Sequence, residues 1–476
     1  MNPLEQSAKD ITRRHFLGKT GTGLGAIALG SLLAEETQAS RTQNPNQPPK
    51  AKHVIFLHMA GSPPQQELFD YKPKLVEFNM KKCPDELLKN QRFAFIKGHP
   101  KLLGSPYKFQ KHGESGIEVS ELLPHFSQRV DDITVVKSMW TDQFNHAPAQ
   151  LFLYTGSRRF GNASMGSWVT YGLGSENTNL PAFVVLVSGG TDPSGGKSLW
   201  GSGFLPSVYQ GVQCRTQGEP ILYVTNPQGM NRNIRRQSLD ALKKLNELEH
   251  KKFADPETQT RISQYELAFR MQTAVPEAMD IAKEPKHIQE AYGTQPGKEN
   301  FANSCLLARR LVERGVRFVQ LFDYGWDTHG TSKGDDIIHQ LPKKCKQIDR
   351  PIAALLKDLK QRGLLDETLV VWSGEFGRTS MNEARGGSKF LGRDHHPQCY
   401  TIWMAGGGIK AGQTVGETDE LGYIITKDKI TINDLQATIL HQLGIDPYEL
   451  RYPYQGLQQR LIGPADAPKV QKILLG

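Results

Sequence analysis

Apolar residues gather into short unbroken runs along this chain. They are HVIFLH from 53, DITVVKS from 132, AFVVLVS from 182, ILYV from 221, VRFVQLFD from 316, TLVVWSG from 368 and YTIWMAG from 400. Most run continuously instead of alternating with polar residues, the mark of strands covered on both faces in a mainly parallel sheet. Helical patterns lie between them. NFANSCLLARRLVERG leads into the run at 316 and stops at Gly315. IDRPIAALLKDLKQRGLL precedes the run at 368, and TINDLQATILHQLG opens with Thr431 and Asp434 as a helix-start pair and ends at Gly444. The expected architecture is α/β: a doubly wound, mainly parallel sheet with helices on both faces, forming one domain over 52–476. The charged stretch at about 231–292 is expected to be a helical insertion in it. In such sheets ligands lie beyond the carboxyl ends of the strands, so chemistry is to be sought in the loops that follow them.

The first residues have a different character. ITRRHFLGKTGTGLGAIALGSLLAEETQAS pairs Arg13 with Arg14, then carries a weakly apolar, Gly-rich segment too short to span a bilayer. Gly21, Gly23, Gly25 and Gly30 argue against a basic amphipathic helix. The expectation is a twin-arginine signal peptide over 1–39, read by the twin-arginine translocase, with a flexible linker over 40–51. No second segment is long enough to cross a membrane, so the mature chain is expected in the periplasm or outside the cell. The net charge of +9 is spread along the chain, apart from small groups such as Lys343, Lys344 and Lys346. It allows a mild attraction for anionic substrates, and no nucleic-acid motif accompanies it. Five cysteines (Cys83, Cys214, Cys305, Cys345, Cys399) include no CxxC pair, which excludes zinc-ribbon and thioredoxin readings and implies no disulfide.

Three stretches carry candidate chemistry. GWDTHG follows the run at 316 with Asp327 and His329, GEFGRT follows the run at 368 with Glu375, and GRDHHP precedes the run at 400 with Asp394, His395 and His396. Carboxylate and imidazole mixed in one place hold divalent metals, and suit Zn, Mn or Fe better than Mg. Taken singly, each residue is an ordinary loop or capping residue. Placed at neighbouring strand ends, Asp327, His329, Glu375, His395 and His396 are expected to share one metal site. SGGTDPSGGKS, from 188, misses a phosphate-binding loop: the glycine required six positions before Lys197 is Thr191.

With SMWTDQFNHAPAQLFLYTG, GSWVTYGLGSEN, LARRLVERGVRF, GWDTHG, EFGRT, GRDHHP and LHQLGIDPYELRYPYQG, almost the whole mature chain resembles the exported bacterial family called domain of unknown function 1501. That family is similar to the alkaline phosphatase and sulfatase superfamily, which implies its doubly wound fold and a metal centre of two metals or one calcium. Hence Zn, Mn or Ca is expected. HAPAQLFLYTG has the length and the closing Thr155-Gly156 of the sulfatase nucleophile segment, with His146 in the nucleophile slot. SGEFGR resembles the sulfatase Ser-Asp-His-Gly, with Glu375 for the Asp and Phe376 for the metal-binding His. VIFLHMAGSPPQ lacks the paired Asp of the first strand, with His58 the nearest substitute. The resemblance implies a metal-dependent hydrolase of phosphate or sulfate esters, acting on an anionic small molecule or polysaccharide. His146 would be nucleophile, ligand or general acid/base, and Arg378 and Arg393 would clamp the anion. Placed at a helix start, His146 would be held neutral. The departures leave a second reading open: a binding or accessory protein keeping the fold with a reduced metal or anion site.

Overall fold

The computed structural model describes residues 48–89, 91–221, 226–253, 256–464 and 468–476. The expected signal peptide, most of the expected linker and most of ILYV lie outside these residues.

Nine strands form the central sheet: β1 (His53–Ala60), β2 (Ile133–Trp140), β3 (Phe183–Ser188), β4 (Val212–Cys214), β5 (Phe318–Tyr324), β6 (Thr368–Ser373), β7 (Tyr400–Ala405), β8 (Gln413–Val415) and β9 (Ile430–Thr431). Their order is β8-β2-β7-β6-β1-β5-β3-β4, with β9 also beside β2. All pairings are parallel except those of β7, which runs antiparallel to both β6 and β2. The unbroken apolar runs have the physical cause expected of them. Along β1, Ile55, Leu57 and Met59 enter one core, while Val54 and Phe56 enter the other. One face is covered by α5 (Phe301–Glu313) and α6 (Gln340–Gln361). The opposite face is covered by α1 (His146–Thr155), α2 (Met165–Leu173) and α7 (Ile432–Gln442). At α7 the Thr431 hydroxyl accepts from the Asp434 N–H and the Asp434 carboxylate accepts from the Thr431 N–H, closing a capping box. Pro351 lies inside α6, which begins eight residues before the stretch expected from sequence.

Residues 232–292 are largely helical, with α3 (Arg232–Phe253) and α4 (Pro256–Met279) packed side by side. This region is joined to the core through Glu284, whose carboxylate is gripped by Arg309, 2.6 Å away, and by Arg310, both on α5. Arg310 also donates to the Ala278 carbonyl at 2.8 Å. All five cysteines are buried and free. Among the described residues no helix is long and apolar enough to cross a membrane.

Burial pushes the Glu284 carboxyl up, but Arg309 and Arg310 outweigh it and hold the group below its ordinary value of 4.5. A depressed folded pKa contributes stability that is complete above the unfolded value and is lost as pH falls through the folded one. Glu284→Gln is therefore expected to flatten the fall in stability on acidification below about pH 4.5, read from urea midpoints across pH.

Candidate metal centre

The carboxyl edge of the sheet gathers the residues singled out above, and the reversed strand explains the odd order of one motif. Because β7 runs backwards, its beginning lies at the same edge as the ends of β1, β2, β5 and β6. GRDHHP therefore sits before its strand where the other motifs sit after theirs. Beyond β1 the chain turns through Gly61 and Ser62, both at positive φ (104° and 61°). A Cβ at Gly61 would lie 2.5 Å from the Asp327 nitrogen, so only glycine lets this turn lie against the loop after β5. A Cβ at Gly392 would lie 2.0 Å from the His329 carbonyl carbon, so the backbones carrying His329 and His395 also press together there. His146 is the first residue of α1, just after the Asn145 N-cap.

Three imidazoles and one carboxylate converge. His146 Nε2 lies 3.2 Å from Asp327 Oδ2, and His329 Nε2 lies 2.8 Å from Asp327 Oδ1. His395 Nε2 is 3.2 Å from His329 Nε2 and 3.5 Å from Asp327 Oδ1. One donor atom from each residue lies within 4.8 Å of all the others. The far nitrogen of every ring is tied outward. His146 Nδ1 meets Glu375 Oε1 at 2.6 Å, His395 Nδ1 meets the Phe144 carbonyl at 2.6 Å, and His329 Nδ1 meets Glu383. A carbonyl or carboxylate oxygen only accepts, so each Nδ1 carries a hydrogen, and a ring that is neutral turns its Nε2 lone pair inward; His146, between two carboxylates, also carries a proton on Nε2 when no cation is bound. The facing lone pairs of His329 and His395 then need a proton or a cation between them. This arrangement, with outer groups fixing tautomer and ring plane, is the one metal-binding imidazoles use. Three nitrogens and one oxygen fit zinc, and also Mn(II) or Fe(II); they do not fit calcium, whose shell is oxygen, so calcium is removed from the expectation.

The electrostatics follow from packing. Burial pushes the Asp327 carboxyl up, but the Arg378 guanidinium and the bonds from His146, His329 and His395 outweigh it and hold the group far below the usual carboxylate range. Glu375 is held well below its ordinary value in the same way: burial opposes, and His146 and His58 prevail. Burial pushes His146 down, yet its bonds to Asp327 and Glu375 raise it to about 9. This reverses the expectation that its helix start keeps it neutral: two carboxylates within bonding distance outweigh a helix end. His395 goes the other way, to about 4, through burial and the neighbouring charges of Arg378 and His146.

The structure corrects four of the expected roles. Glu375 is not among the converging donors. It stands behind His146, accepting from Gln150 Nε2 at 3.0 Å and the Gly61 N–H at 3.1 Å, with His58 Nε2 3.2 Å away. His396 turns away, with Nε2 2.7 Å from the Tyr423 carbonyl and its ring stacked on Tyr423. Arg393 is buried and grips Glu67, with further bonds to the Thr379 and Leu103 carbonyls, so it faces no substrate. Arg378 is equally buried, spending its donors on the carbonyls of Gly61, Ser62 and Arg393 and on Asp327. Neither arginine clamps an anion. Conversely, His146 joins the donors, and Glu383 and the Phe144 carbonyl enter as orienting groups that no spacing rule marks.

Aromatic rings wall the cluster. Phe376 packs on His146 and His395 at 4.9 and 4.5 Å between ring centres. Phe95 stands edge-on to His329 at 4.9 Å and lies beneath the Arg385 guanidinium. Its segment is latched by Asp394, which accepts from the Phe95 and Ile96 N–H groups at 2.7 and 2.9 Å. Asp394 thus serves as a latch in this arrangement, one residue before His395.

The chain matches the family described as "Protein of unknown function (DUF1501)" over residues 51–474 and belongs to it. No curated protein matches the sequence. Among solved structures it is similar to the PsFucS1 sulfatase from Pseudoalteromonas sp., at 11% identity and TM-score 0.35, over 86% of this chain and 72% of that one. It is similar to the alkaline phosphatase from the Antarctic bacterium TAB5, at 11% identity and TM-score 0.30, over 77% of this chain and 94% of that one. It is also similar to the phosphonate monoester hydrolase of Agrobacterium radiobacter, at 11% identity and TM-score 0.33, over 83% of this chain and 74% of that one. Likenesses this faint assign no chemistry.

Two expectations follow from the geometry. Glu383→Gln should weaken zinc binding about 10–100-fold with the fold intact, because it frees the His329 ring without removing a donor; competition with a chromophoric chelator measures this. Arg393→Met should cost about 3–5 kcal/mol in urea unfolding by stranding the buried Glu67 charge. Zinc affinity of the protein that remains folded should be unchanged.

Proposed function

We propose that the protein is an exported, metal-dependent hydrolase of phosphate or sulfate esters whose attacking group is water and not a side chain. The observation that carries this is the convergence of His146, Asp327, His329 and His395 with every Nδ1 tethered outward. The slot that the superfamily segment gives to its nucleophile holds His146, which points its Nε2 into the donor set, and the Ser62 hydroxyl accepts from the N–H groups of Glu375 and Phe376. A metal held by these four residues would supply Lewis-acid polarisation and a water that ionises near neutral pH. The chain's own groups do the rest. Glu375, Glu383 and the Phe144 carbonyl hold the three rings in register, Arg378 keeps Asp327 ionised, and Phe95 and Phe376 keep bulk water from the imidazoles. His146 and Asp327 leave the cluster accessible, with 19% and 34% of their side chains exposed. The ester class rests on the resemblance of HAPAQLFLYTG and SGEFGR to the superfamily's segments, with His146 as a ligand instead of a nucleophile.

Two observations favour the second reading, a binding or accessory protein that keeps a reduced metal or anion site without turnover. Phe376 stands where the superfamily carries a metal-binding histidine, and both candidate arginines are spent within the fold.

Metal content of the purified protein, followed by a screen with p-nitrophenyl phosphate, p-nitrophenyl sulfate and bis-p-nitrophenyl phosphate, separates the readings. Hydrolysis that EDTA removes, Zn or Mn restores, and His146→Ala or His329→Ala abolishes is the expected result. No ester turned over, with or without metal bound at this cluster, supports the accessory reading, and a protein that binds no divalent metal overturns the metal-dependent hydrolase. For export, Arg13→Lys with Arg14→Lys keeps the charge and is expected to leave the precursor in the cytoplasm; undiminished export would refute a twin-arginine signal.

A further inference from the structure

A second concavity opens at the same edge of the sheet. At the carboxyl ends of β3 and β4, beside the Gly-rich loop after β3, lies a cavity of about 470 Å³. That is within the ~300–1,000 Å³ range of small-molecule sites. Its lining includes Thr191, Asp192, Gln213, Arg215, Thr216 and Glu299. Two carboxylates against one guanidinium disfavour a phosphate, sulfate or other anion. No aromatic ring lines it among the described residues, so a nucleobase finds no stacking surface. Cys214 is present, but burial pushes its thiol up to about 12, which leaves it poor as a metal ligand or nucleophile. What remains is a mixed set: Thr191, Thr216 and Gln213 donate and accept, Asp192 and Glu299 accept, and Arg215 donates. The Thr216 hydroxyl is buried with no partner among the described residues. That inventory matches a ligand covered in hydroxyl groups, each a donor and an acceptor.

The cavity is also wired to the metal cluster. The Gly195 N–H, in the same Gly-rich loop, donates to Gln150 Oε1 at 2.8 Å. Gln150 Nε2 donates in turn to Glu375 at 3.0 Å, and Glu375 holds His146. Ser188, at the end of β3, hydrogen-bonds Asp323 of β5 at 2.9 Å, four residues before Asp327.

We propose that this cavity is a binding subsite for a neutral saccharide unit, extending the substrate away from the metal cluster. The saccharide chemistry stands on the cavity alone; that the saccharide belongs to the substrate rests on the hydrolase reading.

Titration calorimetry of the full chain with cello-, laminari-, manno- and agaro-hexaose tests it, using wild type, Asp192→Ala with Glu299→Ala, and Thr216→Trp. At least one hexasaccharide should bind wild type. Both variants should weaken binding by at least about tenfold, the first by removing charged acceptors and the second by filling the space. Neither should change hydrolysis of p-nitrophenyl esters, because neither variant alters the donors His146, Asp327, His329 and His395. Asp327→Asn should lose metal while keeping saccharide affinity. Failure of all four hexasaccharides to bind, binding that both variants retain, or binding displaced by inorganic phosphate or sulfate would overturn the subsite. Saccharide binding without ester hydrolysis would uphold the subsite and remove the hydrolase reading. Hydrolysis of p-nitrophenyl esters without saccharide binding would do the reverse.

Discussion

One carboxylate ties the site together. Asp327 receives three imidazoles on one side and the Arg378 guanidinium on the other, and Arg378 is fixed by the carbonyls of Gly61, Ser62 and Arg393. A buried charge of either sign is stable only when compensated and hydrogen-bonded. Asp327 and Arg378 meet that condition for each other, so the turn after β1, the loop after β5 and the loop after β6 must all be in place together. The glycine at 61 is the steric expression of the same requirement.

From that pair the rest of the arrangement follows outward. Each histidine has an inner face committed to Asp327 and an outer face committed to a group on another segment: Glu375 after β6, Glu383 in the loop beyond it, or the Phe144 carbonyl before α1. Rings tethered at Nδ1 do not swing, and their Nε2 atoms stay aimed at one point without a ligand to organise them. Preorganisation of this kind lowers the reorganisation needed on binding. The hydrophobic wall of Phe95 and Phe376 lowers the local dielectric and strengthens every charge interaction inside it.

Much of the architecture was legible because its signals are local. Unbroken apolar runs mark strands buried on both faces, and Thr431 with Asp434 marks the start of α7. The strand Val212–Cys214 escaped because it is three residues long, with two of them only partly buried. At the site, GWDTHG and GRDHHP name the neighbourhood, but residue type alone cannot tell a donor from its support. Glu375 and Glu383 differ from Asp327 only in where neighbouring strands place them. His395 and His396 are adjacent in sequence, yet their extended backbone sends the two rings to opposite sides. Arg378 and Arg393 looked like anion clamps because their fate depends on Asp327 and Glu67, and nothing in the sequence pairs those positions.

The four donors come from positions 146, 327, 329 and 395, so no short stretch of chain can assemble them. Loop closure over such separations is met only when the sheet itself forms. A cation held by these four residues would find no such site on the unfolded chain and would arrive as the last component of a finished domain. Its binding energy would then add directly to the stability of the fold. On the proposed twin-arginine route, which passes folded cargo, the ion chosen would be the one available where the protein is made, and not the one most abundant where it works.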